Sequence, residues 1–402
     1  MKQGKRIITL LLTVLLMSAL TACETKPGTP QDNHLDWVYV PETAEMGAVS
    51  ENGYYYRHNG FLNYADFATG KSAVLCAKPG CKHEYDPLEV DICDADMILL
   101  SSTFCFADDT LYYLGRENLL CSRDATGGSM KELGTVAKEL IDDGKSVEVW
   151  IRAVCNGYLY YSGVIEERKQ NSSGGNTYTT EGYCIGRFNV AQRKDEILVI
   201  LEDVGSSENI TLYAARENGV IYLYKEGIGP AEDWEDVDMM KRLEAQQKMP
   251  VHIKHLNLTT GETTVLLTTT YSECKAVLDL ENGKIIYNKP SNGDESEVRS
   301  YDLNTGKVET VYKGEFTSSY YGKGYWLRTK WLDAQTAERH IYDMNTGKTL
   351  PYELKGNFGV VNKSEYGLVV LNSITGVFSY LSYDSLADGL QEADLKLLYA
   401  IS

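Results

Sequence analysis

Three cysteines and a histidine crowd into one short stretch, LCAKPGCKHEYDPLEVDIC at positions 75–93. Cys76, Cys81, His83 and Cys93 are spaced Cys-x4-Cys-x-His-x9-Cys. Three thiolates and an imidazole have the types and number of a tetrahedral zinc site, although the spacing is looser than paired CxxC motifs. A second reading is a disulfide between two of the three cysteines, the third pairing with Cys105, as suits an oxidising compartment. A third is simple free thiols. Under either of the first two readings the cluster orders its connection and performs no catalysis.

Other chemistry is sparse. No GxSxG phrase occurs, and His83-Glu84 lacks the second histidine of HExxH because position 87 is proline. His252 and His255 are three apart, which on a strand puts them on opposite faces. No pair of carboxylates stands out among 57 acidic residues, so no catalytic residue is assigned. Tyr85, Tyr178 and Trp234 lie in long connections, where their rings could stack on a ligand. Cys121, Cys155, Cys184 and Cys274 fall within apolar runs and read as buried core residues.

The elements that position these residues follow from a repeat. Asp66 (DFATGK), Asp124 (DATGG), Asn189 (NVAQRK), Asn257 (NLTTGE), Asp302 (DLNTGK), Asp343 (DMNTGK) and Asp384 (DSLADG) begin variants of one turn phrase. The leading Asp or Asn accepts backbone N–H groups, and the closing glycine supplies a positive φ. Ahead of each stands a turn and an apolar-aromatic run: NGYYYRH at 52, DDTLYYLG at 108, NGYLYYSG at 156, NGVIYLY at 218, NGKIIYNK at 282, GKGYWLR at 322 and EYGLVVLN at 365. Asn-Gly between such runs is a hairpin signal.

Each unit therefore reads as four antiparallel strands, A to D. The sequence predicts an all-β, seven-bladed β-propeller of four-stranded blades over residues 35–402, with eight blades as the alternative. One four-stranded sheet cannot cover both its faces, so the units must stack radially. LDWVYV at 35–40 is expected to complete the last blade and close the ring.

Alternation fixes the ends. A–B and C–D turns share one end of the propeller; B–C loops and D–A links share the other. Three long connections fall at the second end: residues 77–102, a polar and mobile B–C loop at 166–181, and a B–C insertion at 228–250 in blade 4. DVDMMKRLEAQQ in that insertion favours a short helix. Binding loops ride on rigid scaffolds, so this end is the expected binding end.

The N-terminus is read apart from the fold. Lys2, Lys5 and Arg6 precede an apolar run at 7–17, followed by Leu20-Thr21-Ala22-Cys23. This run is too short to span a bilayer comfortably. The phrase resembles the bacterial lipobox, which implies cleavage of a signal peptide at 1–22 and lipid on Cys23. Residues 23–34 then form a tether. The formal charge of −18 becomes −21 on loss of those three cations. Such a surface repels nucleic acid and anionic headgroups.

The lipobox and the cysteine-rich phrase ahead of tyrosine-rich blades resemble the lipid-anchored β-propeller lipoproteins of Gram-positive anaerobes. These are related in repeat style to TolB-like and low-density-lipoprotein-receptor-type propellers. The resemblance implies a propeller on the extracytoplasmic face of the cell membrane and carries no activity. DxxTGK also resembles the repeat of pyrroloquinoline-quinone-type propellers, including the lipoprotein scaffold of the outer-membrane barrel-assembly machine. That repeat has a tryptophan where this chain has Val74, Val308 and Leu350, so no organic cofactor is expected and a structural zinc is the one cofactor considered. The expected function is a membrane-anchored binding or scaffold module for a protein, peptide or glycan. The alternative is a carbohydrate-active or peptide-cleaving propeller enzyme.

Overall fold

The chain divides into residues 1–34 and a compact unit over residues 35–402. A computed structural model describes residues 38–39, 47–83, 93, 95, 103–128, 130–170, 176–205, 207–229, 237–271, 279–281, 283–290, 296–332, 336–356, 358–364 and 366–400. Cys23, Tyr85, Trp234 and Cys274 lie outside them.

The second unit is a seven-bladed β-propeller of four-stranded antiparallel blades. Blade 1 is Gly47–Val49, Gly53–His58, Phe61–Asp66 and Ser72–Val74. Blade 2 begins at Phe104, blade 3 at Ser146, blade 4 at Asn209, blade 5 at Asp279, blade 6 at Thr317 and blade 7 at Phe358. Strand order follows chain order in every blade.

Burial explains why the units stack. The second strands are covered on both faces by neighbouring blades, so they read as continuous apolar runs rather than as alternating ones. Tyr54, Tyr55 and Tyr56 in GYYYRH are all buried, as are the first four residues of GLVVLN. Outer strands are far more exposed, as in VETVYKG at 308–314. Seven apolar clusters lie among the described residues, one at each junction between successive blades.

The turn phrase behaves as its residue types dictate. In blade 5, Asp302 Oδ1 accepts from the N–H groups of Asn304 (3.0 Å) and Thr305 (2.9 Å), while Gly306 donates to the Asp302 carbonyl at 2.8 Å. Gly306 has φ 67°. Asn257 makes the same bonds to Thr259 (2.9 Å) and Thr260 (3.1 Å). The decayed phrase at Asn189 keeps one of them, from Gln192 N–H at 2.8 Å.

Four expectations need correction. First, Val38–Tyr39 does not complete the last blade, and the expectation for the rest of 35–40 lies outside the described residues. Blade 7 already has its own fourth strand, Lys396–Ala400, paired with Val377–Ser382, so its outer edge offers no vacancy. Val38–Tyr39 instead pairs with the inner strand of blade 4, Val38 opposite Ala215 and Tyr39 opposite Ala214, making that sheet five-stranded. Closure rests on packing of blade 7 against blade 1. Phe67 stacks on Tyr380 (3.6 Å between centroids), Tyr56 on Tyr399 (3.8 Å), and Asn362 Nδ2 donates to the Gly47 carbonyl at 2.7 Å.

Second, residues 166–170 and 176–181 are strand and not loop. The strands Tyr158–Gln170 and Asn176–Asn189 pair as far as Gln170 opposite Asn176, so a long hairpin extends from blade 3. The run Thr177-Tyr178-Thr179-Thr180 has β-branched and aromatic residues that favour strand, and a register shift at Ile165/Glu166 is accommodated within it.

Third, Asp384 does not begin a tight turn. Tyr383–Asp388 is a 3-10 helix within a long connection that leads to the last strand. Fourth, blade 7 therefore has a long connection at the end otherwise reserved for tight turns. Its tight turn, Asn372 to Gly376, is the B–C turn; Asn372 Oδ1 accepts from Ile374 N–H at 3.0 Å and Gly376 has φ 67°.

The helix expected in blade 4 is present. We label Lys138–Asp142, between blades 2 and 3, α1, and Met239–Lys248, between the second and third strands of blade 4, α2. Asp238 caps α2 by accepting from the N–H groups of Met240 (3.0 Å) and Lys241 (3.4 Å).

Candidate metal centre

The connection from blade 1 to blade 2 leaves the short fourth strand at Val74 and reaches the inner strand of blade 2 at Phe104. Blade 1 holds both ends of its first part. Leu62, in the third strand, accepts from Leu75 N–H at 2.9 Å and donates to the Ala95 carbonyl at 2.8 Å. Ala95 is fully buried, and its bond to Leu62 continues the outer edge of the blade beyond its short last strand.

Between these two points the chain brings Cys76, Cys81, His83 and Cys93 together. One ligand atom from each lies within 4.8 Å of all the others. His83 Nδ1 is 3.4 Å from Cys93 Sγ. Cys93 is buried, while Cys76, Cys81 and His83 are half-buried. The His83 ring meets Phe61 edge-on at 6.5 Å.

Backbone geometry at the cluster is unusual in one place. His83 has φ 55°, a left-handed conformation that costs a residue with a Cβ about 1–2 kcal/mol. Gly80, with φ 74° and open space around its Cα, turns the chain between Cys76 and Cys81.

None of the seven described cysteines is in a disulfide. Those outside the cluster behave as core residues. Cys121, Cys155 and Cys184 are buried in their strands. Burial pushes the Cys105 and Cys184 thiols up to about 12 and the Cys121 thiol to about 11, which leaves them protonated and unreactive. Burial likewise pushes the Cys93 thiol up to about 12.

The cluster can hold a metal. The four donors come from four side chains and converge on one point, with soft thiolates dominating. Tyr178 is not part of this group: it sits on the blade 3 hairpin, opposite Arg168, and is 53% exposed.

A second polar group lies on blade 4 and was not legible in the sequence. His252 Nε2 lies 2.7 Å from Glu226 Oε1 and its Nδ1 lies 3.0 Å from Thr268 Oγ1. Next to it, Tyr224 OH donates to Glu208 Oε1 at 2.7 Å, and that bond, with burial second, pushes the phenol up to about 12. His252 stacks on Tyr224 at 5.8 Å. Register is the missing signal: His252 is paired with Tyr224, which makes Glu226 its diagonal neighbour on the same face. His255 projects to the other side of the strand, as its odd spacing predicts.

No protein-family model matches the chain, and no curated protein matches it in sequence. Many solved structures do resemble it. An oligogalacturonate lyase in complex with manganese aligns with a TM-score of 0.51 at 9% identity, over 89% of this chain and 92% of that one. TolB from Acinetobacter baumannii aligns with a TM-score of 0.35 at 11% identity, over 86% and 79%. Dipeptidyl peptidase 4 from Porphyromonas gingivalis aligns with a TM-score of 0.45 at 11% identity, over 88% of this chain and 49% of that one. At 9% identity the likeness to the lyase speaks for the fold alone.

Proposed function

We propose that the chain is an extracytoplasmic lipoprotein, held at the membrane by lipid on Cys23, whose propeller binds a protein, peptide or glycan through its loop-rich end. The observation that carries this reading is the unequal dressing of the two ends. One end gathers the blade 1–2 connection, the blade 3 hairpin and the blade 4 insertion with α2. The other holds mostly tight turns closed by glycine. The loop-rich structures also present apolar and aromatic surface: Tyr178 on the hairpin, and Met239 (70% exposed), Met240 and Leu243 on α2. Residues of this kind are enriched where partners bind. In this reading the Cys/His cluster could hold a metal and is structural, ordering one connection at that end.

The test is affinity capture from envelope extracts with the full chain, alongside variants with the hairpin shortened within 166–181 or the insertion trimmed within 228–250. A partner retained by the full chain is expected to be lost from at least one variant. Retention by both would contradict the assignment of the binding end.

The blade 4 group supports a second reading, an enzyme acting on a glycan or peptide. A histidine bonded to a carboxylate, beside a tyrosine bonded to another, has the parts of general acid–base chemistry. The binding reading expects no turnover of such substrates by the full chain. Turnover that disappears in both His252→Ala and Glu226→Gln would replace it.

A further inference from the structure

We infer that Cys76, Cys81, His83 and Cys93 form a closed zinc site, which clips the blade 1–2 connection to the outer edge of blade 1. The inference stands apart from the binding reading, since it concerns what orders the connection and not what the loop-rich end recognises.

Geometry favours a metal over the alternatives. Bond lengths of about 2.3 Å to sulfur and about 2.0–2.1 Å to nitrogen imply a tetrahedral N···S edge of roughly 3.6 Å. The His83 Nδ1 to Cys93 Sγ distance is 3.4 Å. All four donor atoms fall within 4.8 Å of one another, so one ion reaches all of them with small side-chain rotations. A disulfide would use two of the sulfurs and give the histidine no role. The imidazole is instead brought to the same point by a residue in the left-handed region, with φ 55°. A conformation of that cost persists where surrounding interactions over-determine it, and sites of this kind concentrate such residues.

The ligand set selects the ion. Three thiolates with one imidazole in tetrahedral array suit zinc, whereas calcium, magnesium and manganese favour oxygen donors. All four positions are filled by protein, with none left for water or substrate, which is the mark of a structural centre.

The location gives the ion its task. Blade 1 has a fourth strand of only three residues, and the chain must return at Ala95 to extend that edge. No hairpin or helix among the described residues holds residues 75–83 to the blade. A single ion bound at 76, 81, 83 and 93 divides this excursion into short closed loops, each cheaper to order than one long one.

The experiment is metal analysis of the full chain, purified in detergent under reducing conditions without added chelator. About one zinc per chain is expected. In the same preparation Cys93→Ser and Cys76→Ser should hold less than about one-tenth of that, while the distant Cys184→Ser should keep it in full. Misfolding of the ligand variants is controlled by His83→Cys. This variant should retain zinc, and after exchange into cobalt its visible spectrum should shift to that of four thiolates. Wild-type protein without zinc, or with iron in its place, would overturn the inference. So would zinc retained in both Cys93→Ser and Cys76→Ser, or a cobalt spectrum unchanged in His83→Cys.

Discussion

Asp302 and Gly306 show at the scale of single residues why the chain repeats itself. The aspartate collects two backbone N–H groups, and the glycine sits at φ 67° with no close neighbour that a Cβ would strike. Gly306→Ala should therefore cost about 1–2 kcal/mol through backbone conformation alone, measured by denaturant unfolding. The same bonds set a pH dependence. The Thr69 side chain holds the Asp66 carboxyl below its usual range, Thr126 does so at Asp124, and the backbone N–H of Thr305 does so at Asp302. A carboxylate with a depressed folded-state pKa gives stability that is present above its unfolded value and is lost as pH falls through the folded one. Melting temperature should thus fall below about pH 4, the ordinary carboxylate range. Asp302→Asn should keep the turn, as Asn257 does, and flatten part of that fall. An Asp302→Asn protein with an unchanged acid profile would remove this cause. The turns were legible because their physics is local. Asp384 misled for the same reason, since only the extra residues before Lys396 decide that its segment is a 3-10 helix.

At the scale of elements, the blades were legible from paired turns and continuous apolar runs, and so was α2 from its composition. Partners across the ring were not. Val38–Tyr39 finds the inner edge of blade 4 because blade 7 leaves it no place, a fact stored far away in Lys396–Ala400. The blade 3 hairpin looked like a loop because its residues are polar, yet Thr177 to Thr180 pair with the facing strand. Of the candidate site, the four ligand types were visible within one connection, while their convergence depends on the return of the chain at Ala95. The Glu226–His252 pair was invisible without register. Ring closure by ring stacking in place of strand exchange makes its own prediction. Phe67 is 4% exposed and stacks on Tyr380 across the seam. Phe67→Ala should cost about 3–5 kcal/mol, and hydrogen exchange should rise first in Gly47–Val49 and Phe358–Lys363, the inner strands that meet there. Equal acceleration in blades 3 to 5 would mean that the seam is no weaker than any other junction.

At the scale of the whole molecule, an acidic propeller is held together at the junctions between its seven blades and is dressed at one end. A formal charge of −18 disfavours electrostatic attachment to an anionic bilayer. If lipid on Cys23 is the attachment, Cys23→Ala should appear in the medium or as uncleaved precursor on fractionation. A cleaved protein of native size that still sediments with membranes would contradict it. Packing between blades holds the ring, and the zinc inferred at Cys76, Cys81, His83 and Cys93 would hold only the connection that crosses one end. Hydrogen–deuterium exchange of the full chain, before and after removal of metal by a chelator, tests it most directly. Exchange is expected to accelerate in residues 75–83, at Cys93 and Ala95, and along Phe61–Asp66, with blades 3 to 6 unchanged. Exchange unaltered by the chelator, or accelerated throughout the seven blades, would contradict the claim.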